Sequence, residues 1–114
     1  MIVEDDDDLR SVFVDTAKSG GFHTREASDG LVALQMIEIE TPDLVLLDLG
    51  LSMLDGFSVH DELQAHVETR NLPILIVTGS AQDFGRRFRA DCVLRKPVTP
   101  ERLVETIRRC LCEK

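Results

Sequence analysis

Five polar residues stand where apolar runs of the chain end, and their chemical types suit the binding of charged oxygens: Glu4, Asp5, Asp48, Thr78 and Lys96. Clustered carboxylates repel one another, so a group of Glu4, Asp5 and Asp48 is costly unless a hard cation lies among them. Magnesium prefers such oxygen ligands. The Lys96 ammonium and the Thr78 hydroxyl would instead suit the oxygens of a phosphoryl group. This chemistry requires a fold that brings the five side chains together.

The run that ends at Asp48 is the clearest strand in the sequence. Residues 44–47 are consecutive apolar residues, which suits a central strand of a parallel sheet that is covered on both faces. Asp48 then lies at the carboxyl end of the strand, the edge where open α/β sheets bind their ligands. The alternative is structural, since aspartate often ends a strand and caps a turn.

Strand-like and helix-like segments alternate along the rest of the chain. Breaks such as Gly20-Gly21 and Thr41-Pro42 separate them. The alternation of strand and helix, five times over with short connections, predicts a parallel sheet with right-handed crossovers and helices on both faces. The predicted strands cover residues 2–3, 22–27, 44–48, 73–78 and 92–94, and the predicted helices cover 6–19, 31–40, 57–67, 83–89 (weakly, because Gly85 interrupts it) and 100–111.

Apolar residues at three- and four-residue spacing predict the buried face of each helix. Asp6 to Asp8 fall at a helix N-terminus, where the dipole favours negative charge. Thr99 and Pro100 predict the N-cap and the first residue of the last helix. The predicted inner residues are Leu9, Val12, Phe13, Thr16 and Ala17, then Leu34 and Ile37 with Leu31 or Val32, then Phe57, Val59 and Leu63, and finally Leu103, Val104, Ile107 and Leu111.

Composition limits the classes of protein to which the chain can belong. Its 114 residues suffice for one domain, 1–114, and 43% hydrophobic with 30% charged residues is typical of a soluble globular protein. No apolar run approaches the roughly 18 residues of a membrane span, and no signal-peptide pattern is present. The formal charge of −8 disfavours non-specific nucleic-acid binding. We therefore expect a cytoplasmic protein whose partners are cations or other proteins.

The cysteines at 92, 110 and 112 are odd in number, and their spacings fit no zinc framework. Cys110 and Cys112 lie two residues apart, so they would face different ways on a helix. We expect all three to be ordinary thiols of a reducing compartment.

Five short motifs together resemble those of the receiver domain of two-component response regulators, and the resemblance runs from Ile2 to the end of the chain. The motifs are Ile2-Val3-Glu4-Asp5-Asp6, Asp43-Leu44-Val45-Leu46-Leu47-Asp48, Asp55-Gly56, Ile76-Val77-Thr78-Gly79 and Lys96-Pro97. Separately, a Lys-Pro or an Asp-Gly pair carries almost no information. The resemblance implies a single receiver domain with the flavodoxin-like α/β fold, a doubly wound five-stranded parallel sheet in the order 2-1-3-4-5 with helices on both faces.

The resemblance assigns the acidic residues to phosphoryl transfer. Asp48 matches the phosphoacceptor, whose carboxylate attacks the phosphorus of a phosphohistidine on a partner kinase to give an acyl phosphate. Asp5 matches the direct ligand of Mg²⁺, for which Mn²⁺ is a substitute. Glu4 matches the residue that holds the metal mostly through water, and the backbone carbonyl of Gly50 matches a third protein ligand.

The resemblance also assigns the groups that receive the phosphoryl oxygens. Thr78 and the amide of Gly79 match two of them, and Lys96 matches the lysine that pairs with the phosphoryl group. Pro97 follows at a position where the family often has a cis peptide bond. Phosphorylation adds a charge of about −1.5 to −2, so we expect Thr78 and its loop to be drawn inward as the signal.

Three features depart from the family pattern. Val93 stands three positions before the lysine, where an aromatic residue is usual, and its branched side chain is stiff at χ1. As the second switch position beside Thr78, Val93 cannot report burial as a large rotation. The stretch from Thr78 to Lys96 is several residues shorter than usual, so we expect a short or distorted fourth helix. Ser52 replaces a common proline, which leaves its loop more mobile.

The implied function is that of a signalling phosphoacceptor, not an enzyme beyond its own Mg²⁺-dependent phosphorylation and autodephosphorylation. Expected partners are a sensor histidine kinase or a histidine phosphotransfer protein and a downstream output domain or protein, with homodimerisation as an option and no direct nucleic-acid or membrane binding. One alternative is a pseudo-receiver that signals without phosphoryl transfer, which Val93 and the short fourth helix favour. Another is a phosphatase of the haloacid dehalogenase type. That chemistry typically needs a second acid two residues after the attacking aspartate, to protonate the leaving group, and residue 50 is a glycine.

Overall fold

The computed structural model describes residues 1–51, 54–79 and 92–112. Its strands are β1 (Ile2–Val3), β2 (Glu26–Ala27), β3 (Val45–Asp48), β4 (Ile74–Thr78) and β5 (Val93–Arg95), and its helices are α1 (Asp7–Ser19), α2 (Gly30–Ile39), α3 (Gly56–Ala65) and α4 (Pro100–Cys112). All neighbouring strands are parallel, in the order β2-β1-β3-β4-β5. This is the predicted topology. No helix in the described ranges is long and apolar enough to cross a membrane.

Side chains of the central strand β3 alternate between two hydrophobic cores, one on each face of the sheet. Val45 and Leu47 pack into the core covered by α2 and α3, whereas Leu46 packs into the core covered by α1 and α4. All residues of β3 are buried. This burial on both faces explains why the strand is a continuous apolar run, and the prediction of helices on both faces is confirmed.

The ends of the helices are fixed by the residues that precede them. The Asp6 carboxylate accepts a hydrogen bond from the Leu9 amide at 3.0 Å, and the Thr99 hydroxyl accepts one from the Arg102 amide at 3.3 Å. The Thr99 N-cap was predicted from residue type, whereas Asp6 was predicted only to lie at the helix N-terminus. The peptide bond between Lys96 and Pro97 is cis, as the resemblance implied.

Helix α3 begins in close contact with the end of β3. A Cβ atom at Gly56 would lie 2.5 Å from the Leu49 Cα and 2.6 Å from the Asp48 carbonyl oxygen. Only a residue without a side chain permits this approach. The Asp55-Gly56 pair therefore lets the loop after Asp48 turn back tightly against the strand.

The buried face of α1 differs from the prediction by one residue. Val12 is 55% exposed, whereas Val14 is buried together with Phe13 and Ala17. With about 100° between successive residues, a stripe centred between Phe13 and Ala17 includes Val14 and leaves Val12 on the opposite side. The wrong assignment followed from counting spacings without knowing the rotation of the helix.

The buried face of α2 is also narrower than predicted. Ala33 and Ile37 are buried, while Leu31 and Val32 are 50% and 36% exposed. With about 100° between successive residues, a stripe through Ala33 and Ile37 leaves Leu31 and Val32 on the outer side of the helix.

The second strand is shorter than the predicted 22–27 and contains only Glu26–Ala27. Its partner β1 has only two residues to offer, and they pair with Glu26 and Ala27. The predicted fourth helix over 83–89 and the Ser52 position lie outside the described residues.

The expectation of three free thiols is wrong. Cys92 and Cys110 form a disulfide, and the exposed Cys112 is free. Cys92 directly precedes β5 and Cys110 lies on the buried stripe of α4, so packing brings their Cα atoms to 5.8 Å, a usual disulfide distance. The spacing argument missed the pair because it considered only metal frameworks and neighbours on one helix. A cytoplasmic location stays a prediction.

Candidate functional site

The parallel register brings the carboxyl ends of four strands to one edge of the sheet. Glu4 directly follows β1, Asp48 ends β3 and Thr78 ends β4. Lys96 follows β5, and its backbone N–H donates to the Thr78 carbonyl at 2.8 Å. Together with Asp5 these residues line one cleft of about 510 Å³. The structure thus collects all five residues that were selected by their chemistry.

The carboxylates form a compact acidic group in this cleft. One oxygen from each of Glu4, Asp5 and Asp48 lies within 4.8 Å of the others. Glu4 is 1% exposed and Asp48 is 5% exposed, whereas Asp5 is only half-buried. Two buried carboxylates at this separation cannot both be ionised without strong repulsion.

Both oxygens of the Asp48 carboxylate accept hydrogen bonds. The Gly50 amide donates to Oδ1 at 2.9 Å, and Lys96 Nζ donates to Oδ2 at 3.2 Å. Lys96 Nζ also lies 3.9 Å from Glu4 Oε1. Only the carbonyl of Gly50 was singled out from the sequence, so its amide is an addition to the site.

The two buried carboxyl groups differ in their affinity for protons. Burial, followed by the hydrogen bond to Asp48 and the charge of Asp48, raises the pKa of Glu4 to about 8. Burial also acts to raise the pKa of Asp48, but the hydrogen bonds with Glu4 and the Gly50 amide, together with Lys96, hold that pKa below its ordinary value. Near neutral pH one proton therefore resides on Glu4 while Asp48 is ionised.

The donor set fits a small, hard divalent cation. Glu4 Oε2 is buried and has no hydrogen-bond partner within the described ranges. A cation that displaced the Glu4 proton would satisfy this otherwise costly oxygen. A site of three carboxylates, without sulfur or imidazole, suits Mg²⁺ or Mn²⁺ better than softer metals. Glu4, Asp5 and Asp48 are therefore able to hold such an ion.

Thr78 and Gly79 line the same cleft. Thr78 is 4% exposed, and no atom of the described residues, other than those of Gly79 and its chain neighbours, lies within 4 Å of the position that a Cβ would take at Gly79. Asp6 and Phe57 also line the cleft, and sequence reasoning did not assign either to the site because neither stands directly at a strand end.

Val93 is the first residue of β5 and is half-buried. It pairs with Ile76 in the sheet and packs against the core under α2 and α3. Val93 does not belong to the described residues that line the cleft. Its role as a switch position stays a prediction.

The sequence matches a known family and a named relative. A family model described as the response regulator receiver domain matches residues 1–108. The chain is 31% identical over 112 residues to the polar-differentiation response regulator DivK of Brucella anthropi, and the alignment covers 95% of this chain and 91% of DivK.

Solved structures share the fold over nearly the whole chain. The receiver domain of NtrX from Brucella abortus has a TM-score of 0.84 at 28% identity, with 99% of this chain and 98% of that one covered. The receiver domain of a sensor histidine kinase from Pseudomonas aeruginosa, solved with a magnesium ion coordinated in its active site cleft, has a TM-score of 0.86 at 27% identity, with 98% and 95% covered. Because a model of the family matches almost every residue of the fold described above, this chain belongs to the response regulator receiver domain family.

Proposed function

We propose that this domain accepts a phosphoryl group on Asp48 in a Mg²⁺-dependent phosphorelay and changes conformation to signal to an output partner. The observation that carries the proposal is the Asp48 carboxylate, held by Gly50 and Lys96 at the edge of the acidic cleft. A carboxylate must be ionised to act as a nucleophile. The lowered pKa of Asp48 meets that requirement at neutral pH.

In the proposed step, Asp48 is the nucleophile. One of its carboxylate oxygens bonds to phosphorus while the bond from phosphorus to the imidazole nitrogen of a phosphohistidine breaks. The electron pair of that bond returns to the imidazole, whose protonation lets the neutral ring leave, and the product on Asp48 is an acyl phosphate. Such a transfer passes through a loose transition state, so positioning and charge neutralisation matter more than covalent assistance.

The charge of the transferred group would be neutralised from two directions. Asp5 and Asp48 would hold the cation directly, the Gly50 carbonyl would be a third protein ligand, and Glu4 would hold the cation mostly through water. Bound Mg²⁺ supplies positive charge beside the phosphoryl oxygens. The Lys96 ammonium, which donates to the carboxylate before transfer, would then donate to a phosphoryl oxygen.

Thr78 connects the site to the rest of the domain. Phosphorylation adds a charge of about −1.5 to −2 and new acceptor oxygens next to Asp48. Thr78 and Gly79 line the cleft, and the Thr78 hydroxyl and the Gly79 amide would donate to those oxygens. Their movement at the end of β4 would carry the signal to the surface.

The partners follow from this chemistry. A sensor histidine kinase or a histidine phosphotransfer protein would donate the phosphoryl group, and an output domain or protein would read the changed surface, with homodimerisation as one route. The domain would act on its own Asp48 only, so it is a signalling phosphoacceptor and not an enzyme for free substrates. The expected location is the cytoplasm.

Intact-mass measurement after incubation with acetyl phosphate and Mg²⁺ tests the proposal. The wild type should gain the mass of one phosphoryl group, and Asp48→Asn should gain none. The matched control is Asp43→Asn, an acid of the same segment at the opposite end of β3, which should react like the wild type. An adduct that survives Asp48→Asn would contradict the proposal.

The second candidate is a pseudo-receiver, favoured by the aliphatic Val93 that packs in the core where the family usually has an aromatic switch residue. In that case the wild type would form no adduct under the same conditions. The ionised Asp48 beside Lys96 favours the phosphoacceptor.

A further inference from the structure

Arg10, in the first turns of α1, connects three segments around the acidic cleft. Its Nη1 donates to the backbone carbonyl of Glu4 at 2.9 Å, its Nε to Glu26 Oε1 at 3.1 Å and its Nη2 to Asp7 Oδ1 at 2.7 Å. The side chain is 16% exposed. Each guanidinium nitrogen thus donates a hydrogen bond, and the planar guanidinium connects the end of β1 to β2 and to α1.

The contact with the Glu4 carbonyl bears directly on Asp5. That carbonyl belongs to the peptide unit that leads into Asp5, and a peptide unit is planar, so fixing its oxygen fixes the direction in which the chain enters Asp5. The Glu4 amide donates to the Ala27 carbonyl at 3.1 Å. On the other side of Asp5, the Arg10 amide donates to the Asp6 carbonyl at 2.8 Å. The Arg10 side chain therefore fixes the turn before Asp5, whereas the bond after Asp5 is a backbone helix bond that any residue except proline at position 10 would make.

We infer that Arg10 is a positioning residue for the metal site, which keeps Asp5 beside Asp48 by fixing the turn between β1 and α1. The inference rests on the proposed function, because it concerns the same acidic cleft. The pair with Asp7 is a local i,i+3 helix contact, but the bonds to Glu4 and Glu26 are not local, and the helix dipole disfavours a cation near a helix N-terminus.

Electrostatics and positioning predict opposite effects of removing Arg10. A guanidinium bonded to the backbone of Glu4 repels a divalent cation in the adjacent cleft, so if charge alone mattered, its loss would tighten Mg²⁺ binding. If Arg10 fixes the turn, its loss lets Asp5 move and weakens Mg²⁺ binding. The direction of the change therefore separates the two roles.

Arg25 offers a matched control at the amino end of the sheet. Its Nη2 donates to the backbone carbonyl of Glu40 at 2.7 Å, and its Nη1 lies 3.5 Å from the Glu40 carboxylate. Like Arg10 it joins a main-chain carbonyl and a glutamate, but it lies at the opposite edge from the cleft.

The test is a Mg²⁺ titration followed by amide NMR, since the chain has no tryptophan or tyrosine to serve as a fluorescent reporter. The Gly50 and Gly79 amides report on the cleft, and the same spectra show whether each variant is folded. Arg10→Met should bind Mg²⁺ about tenfold more weakly than the wild type, the size expected for a residue that orients a ligand. Arg10→Lys keeps the charge but loses the planar guanidinium with its three hydrogen bonds, so it should also bind Mg²⁺ more weakly. If Arg10→Met does not fold, the titration of Arg10→Lys tests the inference.

Arg25→Met should bind Mg²⁺ within about twofold of the wild type, because its contacts are remote from the ligands. Equal or tighter binding by a folded Arg10 variant would overturn the inference, as would an equal weakening in Arg25→Met. A wild type that binds Mg²⁺ but forms no adduct with acetyl phosphate would count against the phosphoacceptor and leave the role of Arg10 standing.

Discussion

The two ends of the sheet carry the same kinds of charged residues in different surroundings. At the carboxyl end, Asp48 forms an ion pair with Lys96, and their side chains are 7% and 30% exposed, respectively. At the amino end, Glu40 forms an ion pair with Arg25, and their side chains are 75% and 33% exposed, respectively. Exposed pairs contribute little to stability, whereas a buried carboxylate is costly unless it is fully paired.

The difference shows that the carboxyl end is not arranged for stability. Glu4 is buried, its Oε2 has no hydrogen-bond partner among the described residues, and its pKa is raised to about 8. An amide or an apolar residue at this position would avoid that cost. Buried acids with shifted pKa values are typical of functional sites, so we interpret the acidic cleft as a site for a cation and a phosphoryl group.

The largest expected effect comes from Lys96→Met. Lys96 is the cation that donates to Asp48, and loss of one such group should slow phosphorylation by acetyl phosphate about 10²- to 10³-fold. A time course of intact mass measures the rate. Arg25→Met, which removes the cation of the amino-end pair, should leave the rate unchanged. Equal phosphorylation rates for the wild type and Lys96→Met would contradict the claim that the ion pair at the carboxyl end has a function that the amino-end pair lacks.

The next effect is a dependence of stability on pH that originates at Glu4. The pKa of Glu4 is about 8 in the folded chain and 4.5 as its ordinary value, so between these values the folded state holds a proton that the unfolded state has released. The stability that this proton confers is complete below the ordinary value and is lost as pH rises through the folded pKa. From pH 6 to 8 the metal-free protein should lose on the order of 2 kcal/mol of unfolding free energy from this group.

Urea unfolding in a chelating buffer at pH 6 and pH 8 checks this prediction. The buried Met1 ammonium, whose pKa is lowered to about 6, acts in the opposite direction over this interval. The contribution of Glu4 is therefore the difference between the wild type and Glu4→Gln, and added Mg²⁺ should restore stability to the wild type at pH 8 by binding the ionised folded state. Glu40→Gln, the corresponding change at the amino end, should keep the wild-type dependence. A wild type whose stability changes from pH 6 to 8 in the same way as that of Glu4→Gln would show that the Glu4 proton is misassigned.

A smaller effect is expected from Asp6→Ala. Asp6 lies near the same cleft but caps α1 through the Leu9 amide at 3.0 Å, so its loss should cost about 1 kcal/mol of unfolding free energy. Neighbouring acids thus have opposite effects, since Asp6 stabilises the fold and ionised Glu4 destabilises it. Urea unfolding compares Asp6→Ala with Asp15→Ala, an exposed position on the same helix, which should change stability by less than about 0.5 kcal/mol.

The smallest effect belongs to the amino end itself. Glu40→Gln removes the charge of a carboxylate that is 75% exposed, so the unfolding free energy at neutral pH should change by less than about 0.5 kcal/mol. Urea unfolding at pH 7 measures it. A loss of several kcal/mol would mean that the amino-end pair is a structural element comparable to the core.

The sheet and the position of the acidic residues could be predicted from the sequence. A continuous apolar run such as residues 44–47 indicates a strand covered on both faces. Alternation with helices makes the sheet parallel, and parallel strands place all their carboxyl ends at one edge. The close approach of Glu4, Asp48 and Lys96 then follows from their positions after apolar runs.

Features that depend on packing between elements could not be predicted in the same way. The burial of Val14 instead of Val12 depends on the rotation of α1. The disulfide between Cys92 and Cys110 depends on how α4 lies on the sheet. The contact of Arg10 with the Glu4 carbonyl depends on the turn between β1 and α1, and no spacing rule predicts it.

Reductive trapping of the phosphorylated residue tests the central claim most directly. Borohydride reduces an aspartyl phosphate to homoserine, and peptide mass mapping then locates the homoserine in the chain. We predict that, after incubation with acetyl phosphate, homoserine appears at position 48 in the presence of Mg²⁺ and is absent in a chelating buffer. Trapping at another acidic residue, or at position 48 without any divalent cation, would contradict the account.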